Sequence, residues 1–222
     1  MTTSICVIAK EAPTGNGGML HLASRAAIDH VGPADPDLVG NRRYQGLRAM
    51  PRLMLLRHAK SDRSPGVRDI DRPLNPRGFQ AAPQMGAYLA AQGLRPDRVV
   101  VSPSLRTRST WDAISDALGN PKAEIVETIY EAPESALLKV MRATGDDAAS
   151  LLLIGHNPGI QNVALDLVGA ADRTARARLS QEFPTAALAV IDFDGAWADL
   201  RPGSGRLERF VTPKGLDRDD AA

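Results

Sequence analysis

Leu53-Met54-Leu55-Leu56-Arg57-His58 holds the pattern on which the reading of this chain turns: four apolar residues in a row that stop abruptly at two polar ones. So short an apolar run is too brief for a helix and fits a strand buried on both faces. The pattern returns twice. Val99-Val100-Val101 runs into Ser102-Pro103, and Leu151-Leu152-Leu153-Ile154 runs into Gly155-His156-Asn157-Pro158. Further strands are expected at 125–127, 188–193 and 207–211, the last two separated by the turn-forming Pro202, Gly203 and Gly205.

Helical segments lie between the strands. The stretch after Asn75 predicts a helix capped by Asn75, with Pro76 in its first position and Phe79, Ala82, Met85 and Leu89 on one face. Pro83 should kink this helix or mark its effective start. Alternation of this kind predicts an α/β fold: a three-layer α/β/α sandwich around a mainly parallel, mixed sheet. Ligands of such sheets bind at the carboxyl ends of the strands.

The domain is expected over 50–216, with 1–49 as an extension without stable order and 217–222 as a loose tail. The first segment carries Gly15, Gly17, Gly18, Pro33 and Pro36 and only a brief helix-like stretch over 20–28. A basic amphipathic presequence is the alternative, and Glu11, Asp29, Asp35 and Asp37 argue against it. Met50, just before the first strand, is a candidate natural start.

Bulk properties narrow the function. The 222 residues are 43% apolar and 24% charged, with 27 Lys and Arg against 26 Asp and Glu. A formal net charge of +1 gives no global attraction to nucleic acid or to an anionic membrane, and no apolar run approaches the length of a bilayer span. A cytoplasmic location is the default expectation. The single Cys6 forms no disulfide within the chain. It also lacks the arginine that cysteine-based phosphatases place six residues later, where Ala12 stands.

Three strand ends should converge, bringing Arg57, His58, Ser102 and His156 to one edge of the sheet. Ser102-Pro103 and Asn157-Pro158 each pair an N-cap residue with a proline suited to the first helical position, so each is expected to start a helix whose free N–H groups face the site. Helix N-termini favour anions. Arg106 would fall in the first turn of the helix after Ser102, and with Arg57 it could bind phosphate oxygens in a bidentate manner. A neutral imidazole is a competent nucleophile near neutral pH and later a good leaving group, which suits His58. Arg57, Arg106 and His156 would stabilise charge on a transferring phosphoryl group.

Leu55-Leu56-Arg57-His58-Ala59 resembles the opening Arg-His-Gly signature of the histidine phosphatase superfamily, the phosphoglycerate mutase-like enzymes. Ser102-Pro103-Ser104-Leu105-Arg106-Thr107 is similar to its second-arginine motif, and Gly155-His156-Asn157 to its second-histidine motif. Arg106 follows Arg57 by 49 residues and His156 follows Arg106 by 50, which leaves no room for a cap domain before the second histidine. Such a short chain resembles the SixA-type phosphohistidine phosphatases. So do Asp71-Arg72-Pro73-Leu74-Asn75-Pro76-Arg77-Gly78, Pro96-Asp97, Gly205-Arg206-Leu207 and Thr212-Pro213-Lys214. The resemblance covers about 52–216. It implies a cofactor-free, metal-free phosphatase with His58 as nucleophile, Arg57 and Arg106 as phosphate ligands and His156 as catalytic partner. Ala59 replaces the usual glycine, and Glu131 of Ile129-Tyr130-Glu131 occupies the position of a general acid.

The implied partner is a protein phosphorylated on histidine, of the phosphotransfer type. A small phosphomonoester is the alternative substrate, and a non-catalytic phosphoprotein-binding module is the reading from another class. Taken singly, each residue has an ordinary explanation. An isolated Arg-His pair arises by chance, Arg106 beside Arg108 resembles a helix-surface arginine, and Glu131 resembles a loop carboxylate. Three motifs in order are what favour a site. Arg108 is read as a solvated charge. His21 and His30 have no partner pattern, the four histidines show no zinc-ligand spacing, and no Walker or dinucleotide glycine loop is present.

Overall fold

The apolar run 53–56 lies at the centre of the sheet, with no exposure to solvent at any of its four residues. The computed structural model describes residues 50–219. In chain order its strands are β1 (Arg52–Arg57), β2 (Arg98–Val101), β3 (Ala123–Ile125), β4 (Ser150–Gly155), β5 (Val168–Ala171), β6 (Leu188–Phe193) and β7 (Gly205–Val211). Its helices are α1 (Pro76–Ala91), α2 (Leu105–Ser115), α3 (Glu134–Arg142), α4 (Gly159–Leu167), α5 (Arg173–Gln181) and α6 (Pro213–Asp219). The sheet order is β3-β2-β4-β1-β6-β7-β5, and β6 alone runs against its neighbours.

Side chains alternate across each strand, so one sheet builds two cores. Leu53, Leu55, Leu151, Leu153, Ala189 and Ile191 join Leu137, Met141, Ile160 and Val163 from α3 and α4. Met54, Leu56, Leu152, Ile154, Leu188 and Val190 join Ala82, Met85, Leu89, Trp111 and Ile114 from α1 and α2. This is the three-layer α/β/α sandwich, with no cap among the described residues. Among the described residues no helix is long and apolar enough to cross a membrane.

Parallel pairing fixes the site edge. Arg57 lies opposite Gly155, and Val101 opposite Ile154, so His58, Ser102 and His156 leave the sheet side by side.

Several expectations need correction. The helix after Ser102 begins two residues late: Ser104 is its cap, accepting from Thr107 N, and Ser102 turns its hydroxyl into the site instead. Likewise α4 starts at Gly159, because the Asn157 side chain bonds Gln161 and the Phe183 carbonyl rather than the helix amides. Asn75 does cap α1, accepting from Gly78 N at 3.0 Å, but the helix continues through Pro83, which is exposed. Phe79 is 56% exposed and belongs to the outer face, which it shares with Pro83 four residues on.

The third strand is 123–125 rather than 125–127, an edge strand whose Ile125 is 45% exposed. β5 had no apolar signal; its Val-Gly-Ala-Ala sequence is held by parallel pairing to β7. At the C-terminal end Thr212 accepts from Gly215 N through its hydroxyl and from Leu216 N through its carbonyl, at the start of α6, Pro213–Asp219. The extension 1–49 and residues 220–222 lie outside the described residues.

Candidate active site

The site starts from the loop that leaves β1. His58 N donates to Gly155 O at 3.1 Å, and Ala59 N donates to Thr110 Oγ1 at 2.9 Å. Thr110 Oγ1 in turn donates to Arg106 O at 2.7 Å, so the loop is tied to β4 on one side and to α2 on the other. Gly78 of α1 lies so close beneath the loop that an added Cβ would overlap the Lys60 carbonyl. Asn75 N holds that same oxygen at 2.9 Å.

On this fixed loop His58 is 7% exposed, and its Nδ1 lies 2.7 Å from Ala59 O. A carbonyl only accepts, so Nδ1 carries the proton and Nε2 keeps its lone pair. Burial, joined by the charges of Arg106 and Arg57, holds the His58 pKa down at about 3. The ring is therefore neutral at physiological pH.

The His156 ring centre lies 5.2 Å from that of His58. Its Nε2 is 2.7 Å from Ser102 Oγ, and its Nδ1 is 3.2 Å from Arg106 Nη2 and 3.4 Å from Glu131 Oε1. Arg106 Nη2 has two hydrogens and closer acceptors in Glu131 Oε1 at 2.7 Å and Asp69 Oδ2 at 2.8 Å. The hydrogen-bond network thus assigns a proton to His156 Nδ1, directed toward Glu131, with the Ser102 hydroxyl donating to Nε2. Burial and the nearby His58 and Arg106 depress the His156 pKa to about 3.

Arg106 is 2% exposed, and its Nη1 donates to Asp69 O at 2.6 Å. Arg57 Nη1 donates to Phe183 O at 2.8 Å, while its Nε is buried with no partner among the described residues. A bound oxyanion is the kind of group that satisfies such a donor. Arg108, as read from sequence, is exposed.

Glu131 is the candidate acid, and the structure brings it to Arg106 and His156. Its backbone is left-handed, with φ of 48°, an unusual state for a residue with a Cβ that is tolerated where the surroundings demand it. Sequence reasoning missed Asp69 and gave no role to Tyr130. Tyr130 Oη donates to Asp69 Oδ2 at 2.6 Å, and Arg72 Nη1 donates to Asp69 Oδ1 at 2.7 Å. The Tyr130 bond, helped by Arg72 and Arg106, holds the Asp69 carboxyl far below the usual range. Asp69 sits on a 3₁₀ turn, Asp69–Asp71, with no periodic pattern to mark it; the neighbouring Asp71-Arg72-Pro73 was the nearest signal. Around these groups opens a cavity of about 510 Å³, lined also by Lys60, Arg63, Asn157 and Thr185.

The family model for the histidine phosphatase superfamily (branch 1) matches residues 53–134, which include Arg57, His58, Arg106 and Glu131. The uncharacterised Mycobacterium tuberculosis protein Rv1276c is 34% identical over 161 residues, 72% of this chain and all of its own length. A structure assigned to phosphohistidine phosphatase SixA of Agrobacterium tumefaciens is 32% identical, with a TM-score of 0.64 over 74% of this chain and 99% of that one. The chain belongs to the histidine phosphatase superfamily. It falls in the SixA-like branch and is a phosphatase, a hydrolase. Phosphohistidine phosphatase SixA of Escherichia coli K12 is 29% identical over 102 residues, 45% of this chain and 63% of its own.

Proposed function

We propose that this phosphatase removes phosphate from histidine-phosphorylated partner proteins through a phosphohistidine formed on His58. The observation that carries the reading is the neutral His58 ring, whose Nδ1 is committed to Ala59 O and whose free Nε2 stands in a pocket with Arg57 and Arg106. In the first half-reaction the Nε2 lone pair forms a bond to phosphorus as the P–N bond of the substrate breaks. The substrate imidazole leaves neutral if its other nitrogen is protonated. Arg57, Arg106 and His156 Nδ1–H hold the three phosphoryl oxygens, replacing Glu131 on Arg106 and His156. In the second half-reaction a water oxygen attacks phosphorus, its proton passes to a carboxylate of the site, and the bond to His58 breaks to release inorganic phosphate.

Support comes from the absence of a cap among the described residues, which suits a protein surface as substrate, and from the likeness to SixA-type proteins. The reading places the whole reaction within 50–216. A second reading, hydrolysis of small phosphomonoesters, is favoured by Glu131 beside His156, since an alkoxide leaving group requires an acid. The test compares a phosphohistidine-bearing phosphotransfer domain with an aryl phosphate, for wild type and His58→Ala. Release from the domain that vanishes in His58→Ala supports the first reading. Release from the aryl phosphate alone moves the substrate to small monoesters, and release from neither leaves a binding module.

A further inference from the structure

The catalytic cavity does not stand alone. A second cavity, of about 360 Å³, shares Lys60 and Thr185 with it and continues to Arg77 of α1 and Lys214 of α6. The side chains of Lys60, Arg77 and Lys214 are exposed and make no hydrogen bond or ion pair with the described residues. Their placement runs against local preference. Arg77 is the second residue of α1, whose first turn holds no acidic residue, although a helix N-terminus favours negative charge there. Lys214 takes the same place in α6. Three unpaired cations from separate elements thus meet at one rim of the pocket, in a chain whose formal net charge is only +1.

We infer that Lys60, Arg77 and Lys214 form a second anion subsite, which receives carboxylate side chains flanking the phosphohistidine of a partner protein. The inference rests on the phosphohistidine reading above and adds a requirement for an acidic partner surface. The occupant is a spread-out acidic segment and not a second phosphate on a small molecule. The three cations are solvent-exposed and come from three separate elements, and Glu182 also lines the cavity. A compact dianion would meet that carboxylate, whereas separate carboxylates can lie on the cations and pass it. Lys60 belongs to both sites: it follows His58 by two residues, and its carbonyl, held by Asn75 N, lies against Gly78, the residue after Arg77.

The double variant Arg77→Glu/Lys214→Glu tests the subsite, since both residues lie outside the catalytic cavity. Acidic residues suit first helical turns, so the helices are retained. The substrates are a histidine phosphotransfer domain with acidic surface, phosphorylated on its histidine, and phosphoramidate. For the domain, kcat/KM should fall about tenfold or more, mainly through KM, and the gap from wild type should close as salt rises toward about 0.5 M. Phosphoramidate turnover should be unchanged. Arg77→Gln/Lys214→Gln should give an intermediate loss.

Equal turnover of the domain by wild type and both variants overturns the subsite while leaving the phosphohistidine reading intact. An equal loss on domain and phosphoramidate also overturns it, because the residues would then serve the fold or the chemistry. If wild type hydrolyses phosphoramidate but not the domain, the protein-substrate reading fails and the inference falls with it.

Discussion

Replacing Glu131 by Gln should tighten the binding of inorganic phosphate. Glu131 Oε1 lies 2.7 Å from Arg106 Nη2 and 3.4 Å from His156 Nδ1, the two groups assigned to phosphoryl oxygens in the proposed reaction. Phosphate therefore has to break an existing ion pair. Arg106 is buried but the Glu131 side chain is 45% exposed, so the pair is screened by water and is given a value of only about 1 kcal/mol. At 25 °C that energy corresponds to a roughly fivefold lower Kd for phosphate in Glu131→Gln. Gln has the same shape and faces the same left-handed backbone, so strain cancels in the comparison. Calorimetric titration of wild type and variant measures the ratio. The same variant separates the substrates: if Glu131 is the acid for ester cleavage, kcat on an aryl phosphate falls about 100-fold or more, while phosphohistidine turnover falls far less. Phosphate binding that is unchanged or weaker in Glu131→Gln refutes the competition argument.

Three further outcomes follow from the geometry. Ser102→Ala removes the hydrogen bond to His156 Nε2, which should cost roughly 1–3 kcal/mol in urea unfolding and lower kcat/KM about tenfold as the ring loses its orientation. Gly78→Ala drives a Cβ into the Lys60 carbonyl, and should destabilise by about 1–3 kcal/mol and disturb the loop that carries His58 together, so activity and melting temperature fall in the same variant. His58 and His156 both have folded pKa values near 3 against about 6.5 when unfolded. The unfolded chain thus binds more protons between those values, and stability is lost as pH falls below about 6.5, by up to about 1.4 kcal/mol per pH unit for each imidazole. Urea unfolding at pH 7.5, 6.5 and 5.5 measures the slope. A wild-type stability that does not fall across that range, or a slope unchanged in His58→Ala/His156→Ala, contradicts buried neutral imidazoles.

Central strands were legible because burial on both faces writes an uninterrupted apolar run, as in 53–56 and 151–154. Edge strands carry no such mark. β3 keeps Ile125 half in water, and β5 owes its form to β7 rather than to its own residues. Proline after a capping residue misled twice, at Ser102 and Asn157, because each side chain finds a better partner in the site or in the loop at Phe183. The strand-end positions of Arg57, His58 and His156, and Arg106 in the first turn of α2, follow from the alternation of strands and helices. Asp69 and Tyr130 do not: they reach Arg106 from irregular segments, where neither period 2 nor period 3.6 signals which side chain turns inward. Glu131 was named through family resemblance, and its left-handed backbone is visible only in three dimensions.

The central claim is a phosphoryl group carried on His58. The most direct test is a rapid alkaline quench of the enzyme during turnover of a phosphohistidine-bearing domain, followed by peptide mapping by mass spectrometry. The account predicts a base-stable, acid-labile phosphate on the peptide containing His58, absent in His58→Ala. Turnover without any enzyme-bound phosphate, or label on another residue such as His156, would contradict it.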